Sequence, residues 1–247
     1  MSGTLREALF RDYREGQGEI SSPASYADVR SQWPYFDANY RKHLQGLPRT
    51  VSILEVGPGQ GGLLAWLRSL GFERVEGVDA SAGDVQFANG HLGAGVVTLG
   101  DGREFLVARR GAYDVIAMKA VLEHVPKSEL FEMLSATSGA LKPGGFAIID
   151  VPNMDWLLAS HERYMDLTHE VGFTQQSLSS FLRLAFDEIS VTGSQLAKLT
   201  RSQRLLRQPL IRLIRAGLYV LGEGADGALF SSRSLVGVAT KPRAEAN

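Results

Sequence analysis

The chain contains no cysteine. Disulfides, thiolate zinc sites and cysteine nucleophiles are therefore excluded, and the absence fits a reducing cytoplasm. Long hydrophobic runs are missing too: no stretch approaches the roughly 18 apolar residues that a membrane-spanning helix needs. The N-terminal MSGTLREALFRDYREG carries charges throughout and no apolar segment of signal-peptide type, so the expectation is a protein neither secreted by that route nor integral to a membrane. An excess of one charge is also lacking. The 26 Lys and Arg nearly balance the 27 Asp and Glu, for a formal net charge of -1. No global basic field points to nucleic acid. What is present is ordinary globular composition over 247 residues, 44% of them hydrophobic and 21% charged. That suits one large α/β domain, or a core with appendages.

Residues 1–50 are polar with aromatics at Tyr26, Trp33, Tyr35, Phe36 and Tyr40, and read as two short helices packed as a cap. From Val51 short apolar runs alternate with longer helical patterns, the signature of βαβ units and a parallel sheet. The runs are 51–56, 75–79, 96–99, 113–118 and 146–151. Two later candidates, Phe186 to Thr192 and Ser234 to Thr240, suit an antiparallel pair finishing the sheet. The helix between the fourth and fifth strands is expected to end at Leu141-Lys142-Pro143-Gly144-Gly145, where Gly stops it and Pro precludes its continuation.

Gly57-Pro58-Gly59-Gln60-Gly61-Gly62 follows the first strand and opens a helix with Leu63, Leu64, Trp66, Leu67 and Leu70 on its apolar face. Glycines there let a ligand approach the backbone, and the helix N-terminus offers unpaired N–H groups. The string also satisfies G-x-G-x-x-G, so a dinucleotide dehydrogenase is an alternative. Context separates the two. Glu55 lies inside a strand that should otherwise be apolar, where an unpaired buried carboxylate costs several kcal/mol, roughly. The α-amino group of an amino-acid cofactor would partner it. Asp79 ends the second strand, placed for ribose hydroxyls, and Asp101-Gly102 ends the third, where an acid can accept from an adenine amino group. A dehydrogenase has a use for Asp79 but none in particular for Glu55 or Asp101. Each acid also has a plainer role: Asp101-Gly102 is a good turn, and Asp79 with Ser81 can cap the next helix.

These segments resemble a known family. ILEVGPGQGGLL is similar to the first motif of class I S-adenosylmethionine-dependent methyltransferases, VEGVDAS to the acidic second-strand motif, and LGDGREFL to the adenine-contacting one. YDVIAMKAVLEHV and LKPGGFAIIDVPN resemble the fourth-strand segment and the stop before the fifth. Pro58 departs from many members, which carry Cys or another small residue there. The resemblance implies a Rossmann-like, seven-stranded, mostly parallel sheet with helices on both faces and an antiparallel last strand. It divides the chain into an N-terminal helical cap, 1–50, and a methyltransferase domain, 51–247, with a helical insertion at 195–222. It implies S-adenosylmethionine as cofactor, with Glu55, Gly57 and Gly59 near its methionyl part, Asp79 and Ala80 at the ribose, and Asp101 and Gly102 flanking adenine. Lys119 and Leu122 would border the sulfonium.

A sugar-type hydroxyl acceptor must lose a proton, which calls for a base or a metal. His43 and His91 sit in helical surface patterns and read as solvated. His124, after the fourth strand, faces the cofactor cleft or packs against the sheet. His169, in Asp166-Leu167-Thr168-His169-Glu170, lies where the chain crosses the carboxyl edge of the sheet. Asp166, three positions earlier, can orient it and raise its basicity; the other reading is a loop staple to backbone. The candidate catalytic set is thus His169, Asp166 and His124. The stretch 163–174, with D-x-T-H then F-T, also resembles bacterial methyltransferases of surface-glycan assembly, which tilts the acceptor toward a sugar or glycan hydroxyl. Asp, His and Glu are available for a divalent cation, but no metal-ligand spacing stands out and no metal site is assigned.

Acid is absent between Glu188 and Glu223, where Lys198, Arg201, Arg204, Arg207, Arg212 and Arg215 lie. Arginines and leucines fall mostly on opposite sides of a helical wheel, with Pro209 dividing two helices. Three roles fit: a lid with a solvated charged face, a contact between copies of the chain, or weak peripheral docking of 198–221 on an anionic membrane or lipid-linked glycan. Nucleic acid fits least, because interleaved aromatics are absent apart from Tyr219. The expected function is methyl transfer to a hydroxyl of a sugar, glycan or other small molecule, in the cytoplasm or at its membrane face. The rivals are transfer to a lipid, quinone or natural product at O, N or C, and a methyltransferase-like protein that binds without turnover.

Overall fold

The computed structural model describes residues 26–220 and 229–243. Within them seven strands form one sheet: β1 Ser52–Val56, β2 Arg74–Asp79, β3 Val97–Leu99, β4 Tyr113–Lys119, β5 Leu141–Pro152, β6 Glu188–Gly193 and β7 Ser234–Thr240. Their order is β3-β2-β1-β4-β5-β7-β6. Strands β1 to β5 pair in parallel, while β7 runs antiparallel to both β5 and β6. The expected mostly parallel sheet with an antiparallel finish is what forms. The chain order reverses between β1 and β4, so a crevice opens at their carboxyl ends, where open α/β sheets bind ligands.

The period of two sorts side chains between the faces. Leu54, Ile116 and Met118 enter one core with the helices α6 Gly102–Val107, α7 Leu130–Ala140 and α9 Gln175–Leu182. Ile53, Val115 and Ala117 enter the other, with α2 Trp33–Asn39, α3 Arg41–Leu44, α4 Gly62–Ser69 and α5 Ala82–Leu92. Before β1 the described chain makes α1 Tyr26–Val29, a 3₁₀ turn Arg30–Gln32, α2 and α3. The expected pair of short helices is thus a chain of shorter turns, and the part of that segment before residue 26 lies outside the described residues. Phe36, Tyr40 and Leu44 are buried on β1 and α4, so these turns pack into the main core. His43 and His91 are half-buried rather than solvated, and His91 Nδ1 lies 3.0 Å from the Phe87 carbonyl.

Two local expectations are corrected. Helix α7 ends at Ala140, and Leu141 to Gly145 belongs to β5, whose register against β4 shifts between Tyr113 and Val115. The Pro-Gly-Gly stretch is absorbed as a bulge, secured by Lys142 Nζ on Asp114 Oδ2 at 2.6 Å. Pro209 does not divide two helices but lies within one, α10 Arg201–Val220. No residue of α10 is buried, so water can satisfy the carbonyl that proline leaves without a donor.

Candidate active site

The loop after β1 is shaped by backbone geometry that side chains resist. Gly57 has φ +68°, and a Cβ there would lie 2.6 Å from Val121 Cγ2. Asp79 at the end of β2 braces this loop: Gly59 N donates to its Oδ2 at 2.9 Å and Ser81 N to its Oδ1 at 2.8 Å. Ser81 then caps α5 by accepting from Asp84 N, and Asp101 caps α6 by accepting from Glu104 N at 2.9 Å. The plainer roles of both acids are therefore realised, and both still face the cavity.

That cavity, of about 240 Å³, is walled by Gly57, Gly59, Asp79, Ala80, Asp101 and Gly102, all singled out from sequence, and by His124. Its remaining walls include Ser81, Asp84, Ala120, Val121, Val125 and Met133, which sequence reasoning did not select. Ala120 has a signal only the backbone shows, a φ of +54°, uncommon for a residue other than glycine. Leu122 departs from its expected place: it is 1% exposed and belongs to the core, with Val121 and Ala120 taking the cavity edge.

Glu55 and Lys119 stand behind the cavity rather than in its wall. Glu55 is 3% exposed, and its Oε2 has no hydrogen-bond partner. Burial pushes its pKa up to about 8; the Lys119 charge opposes this and Asp79 adds to it. Lys119 acts in the same way on Glu123 and Asp150. Asp150 on β5 accepts from Tyr35 Oη at 2.6 Å and from Tyr40 Oη, and burial raises its pKa too. Three buried carboxylates thus surround one lysine. A buried carboxyl group with one oxygen unpartnered, beside a glycine cradle, fits an amino-acid cofactor whose ammonium group would pair with it.

The catalytic candidates are brought together, but in a different arrangement from the expected one. Asp166 does not orient His169. Its Oδ1 accepts from Thr168 N at 2.8 Å and Thr168 Oγ1 at 2.6 Å, and Thr168 Oγ1 lies 2.8 Å from His124 Nδ1. A two-residue separation lets the aspartate close a local turn on Thr168, so the imidazole it supports is His124. His169 instead points Nδ1 at the carbonyl of Glu162, on the short helix α8 Ala159–Tyr164, 2.8 Å away. The backbone staple expected for Asp166 and His169 is thus present for each. The rings of His124 and His169 sit 4.8 Å apart. Backbone amides of Glu170 and Val171 donate to the Glu123 carbonyl at 2.7 and 3.1 Å, which docks the 166–171 loop on the turn at 122–124. Glu123, which sequence reasoning passed over, is 2% exposed, and burial raises its carboxyl pKa to about 8.

A doubly wound sheet with its cavity at the strand-order reversal, a glycine loop and acids at successive strand ends defines a Rossmann-like enzyme domain of the nucleoside-cofactor type. The sequence profile of the methyltransferase-domain family matches residues 21–190, more than half of the chain. The protein belongs to that family, which removes the dinucleotide dehydrogenase alternative. Among solved structures it resembles a SAM-dependent methyltransferase from Archaeoglobus fulgidus at 24% identity, covering 87% of this chain and 92% of that one, with TM-score 0.61. It also resembles a Haemonchus contortus phosphoethanolamine N-methyltransferase bound to phosphomonomethylethanolamine and S-adenosylhomocysteine, at 17% identity, 98% and 61% coverage and TM-score 0.63. An O-methyltransferase family protein from Burkholderia thailandensis matches at 15% identity, 89% and 58% coverage and TM-score 0.57. Likeness at these identities is likeness of fold. Among curated proteins none matches in sequence.

Proposed function

We propose that the protein transfers a methyl group from S-adenosylmethionine to a hydroxyl of a sugar, glycan or other small molecule. Glu55, Gly57 and Gly59 would hold the methionyl part, Asp79 and Ala80 the ribose, and Asp101 with Gly102 the adenine. When bound, the cofactor supplies an electrophilic methyl on a sulfonium. The observation that carries the acceptor assignment is that His124 forms part of the cofactor cavity wall while its ring is held by the Asp166–Thr168 pair. Thr168 commits its proton to Asp166, so His124 Nδ1 must carry a proton and Nε2 the lone pair. That tautomer suits a base for a hydroxyl proton. Radiolabel transfer from the methyl-tritiated cofactor to a panel of saccharides and other alcohols tests the reading. Transfer to amines or carbons but to no alcohol would defeat it.

A second reading, an acceptor at a lipid surface, is favoured by α10. The lid expected to bury the whole apolar stripe is not what forms: Leu206 is 62%, Leu210 56% and Leu213 69% exposed. The helix turns Arg207 and Arg215 toward the domain, with Arg207 on the Ser231 carbonyl at 3.2 Å and Arg215 over the Phe230 ring. Outward leucines beside the remaining arginines suit an anionic bilayer. No helix among the described residues is long and apolar enough to cross a membrane.

A further inference from the structure

We propose that Glu123, His124 and His169 form a binding site for one divalent transition-metal ion at the edge of the cofactor cavity. One donor atom from each residue lies within 4.8 Å of the other two. Both rings are oriented from behind, as metal-ligating histidines are. The His169 Nδ1 faces a carbonyl oxygen, which can only accept, so that nitrogen carries the proton. His124 Nδ1 faces a hydroxyl whose own proton goes to Asp166, so it too carries the proton. In both rings the lone pair is therefore on Nε2, which can serve as the donor to a metal.

The third donor comes from Glu123, on the turn that also carries His124. Glu123 is 2% exposed, and neither of its carboxyl oxygens has a hydrogen-bond partner in any other described residue. The cation acting on it, Lys119, is shared with Glu55 and Asp150. A carboxyl group buried without a partner beside two imidazoles is one that a bound cation would ionise and pair. Two imidazoles and one carboxylate, leaving coordination positions open, suit zinc, manganese, iron(II), cobalt or nickel rather than calcium. The open positions lie beside the cavity that His124 helps wall. With the ion bound, a hydroxyl acceptor there would be acidified by it and lose its proton to solvent; without the ion, His124 Nε2 takes that proton itself. This role rests on the methyl-transfer reading; the ion site itself does not.

The site has no linear spacing motif because its halves come from distant segments, joined by the amides of Glu170 and Val171 on the Glu123 carbonyl. The test is metal titration of the chelator-stripped full chain with zinc chloride or manganese chloride alone, by calorimetry and by elemental analysis after desalting. Expected are one ion per chain and at least about tenfold weaker binding in both Glu123→Gln and His169→Ala, the scale seen on loss of a metal's supporting groups. S-adenosylhomocysteine affinity, measured in parallel, should be unchanged in both variants, which also shows that they fold. No retained ion, or equal metal affinity in wild type and both variants, overturns the proposal. S-adenosylhomocysteine binding without metal binding would defeat the ion site and leave the methyltransferase reading standing.

Discussion

Thr168 Oγ1 lies 2.8 Å from His124 Nδ1 and donates its own proton to Asp166, so a hydroxyl from one loop fixes the tautomer of an imidazole on another. A hydroxyl with one proton cannot donate in both directions, and the carboxylate is the stronger acceptor. We predict that nitrogen-15 spectra of the wild-type protein show His124 protonated at Nδ1. Thr168→Val should convert it to a mixture of tautomers and His124→Ala should lower turnover by about 10²–10⁴. A Thr168→Val spectrum identical to wild type would dissolve the relay.

Cofactor binding gives a second prediction. Calorimetry should detect S-adenosylmethionine and its demethylated product, and no binding of NAD or NADP. Asp79→Ala should weaken the cofactor by about 1.5–3 kcal/mol, the scale of charged hydrogen bonds. Part of that loss comes from the loop, because Asp79 also accepts from Gly59 N and Ser81 N. Asp79→Asn, which keeps the shape but not the charge, should fall between the two. Affinity unaltered in Asp79→Ala would place the ribose elsewhere.

Stability should depend on pH through Glu55, whose pKa burial raises from 4.5 to about 8. The folded state then holds a proton that the unfolded chain releases, so the stabilisation is complete below the unfolded value and is lost as pH rises through the folded one. The melting temperature of the cofactor-free protein should therefore fall between about pH 5 and about pH 9. Glu55→Gln should flatten that slope, since its side chain cannot ionise. Cofactor binding near neutral pH should release a proton from Glu55, visible as a calorimetric enthalpy that varies with buffer. A heat independent of buffer would separate Glu55 from the ammonium group.

The glycine loop can be tested by packing. Gly57→Ala puts a Cβ 2.6 Å from Val121 Cγ2 on a backbone with φ +68°. It should destabilise by more than about 1 kcal/mol, or at least roughly 2–4 °C in melting temperature for a domain of this size. Adding Val121→Ala should restore part of the loss, because the contact goes while the unfavourable φ stays. Equal melting for Gly57→Ala and wild type would contradict the described loop.

Helix α10 should carry the protein onto anionic vesicles and not onto neutral ones. Each exposed arginine contributes about 1 kcal/mol at such a surface, and moderate salt should weaken the binding. Replacing Leu206 and Leu213 with serine should reduce co-sedimentation while leaving cofactor affinity intact. Failure to bind anionic vesicles at low salt, with a dimer in solution, would assign the leucine face to a second copy of the chain.

The glycine loop and the strand-end acids around the cavity were legible in the sequence because their determinants are local. A strand's length fixes which residue reaches its carboxyl end, so Glu55, Asp79 and Asp101 could be placed from the apolar runs that precede them. The glycine loop announces itself by residues whose backbone few others can adopt. Three things were decided only by tertiary structure. Asp166 supports His124 through Thr168 rather than its neighbour His169, since a turn closes on the nearer hydroxyl and loop docking supplies the ring. Glu123 gave no signal beside His124, and only burial by the 166–171 loop makes its carboxylate unusual. The wheel of α10 showed two faces but not which one meets the domain; a mixed face does, with Arg207, Ile211, Ile214 and Leu218 half-buried and Leu206, Leu210 and Leu213 left outside. Periodicity records which side chains share a face, while the partner of that face is set by long-range contacts that no local pattern encodes.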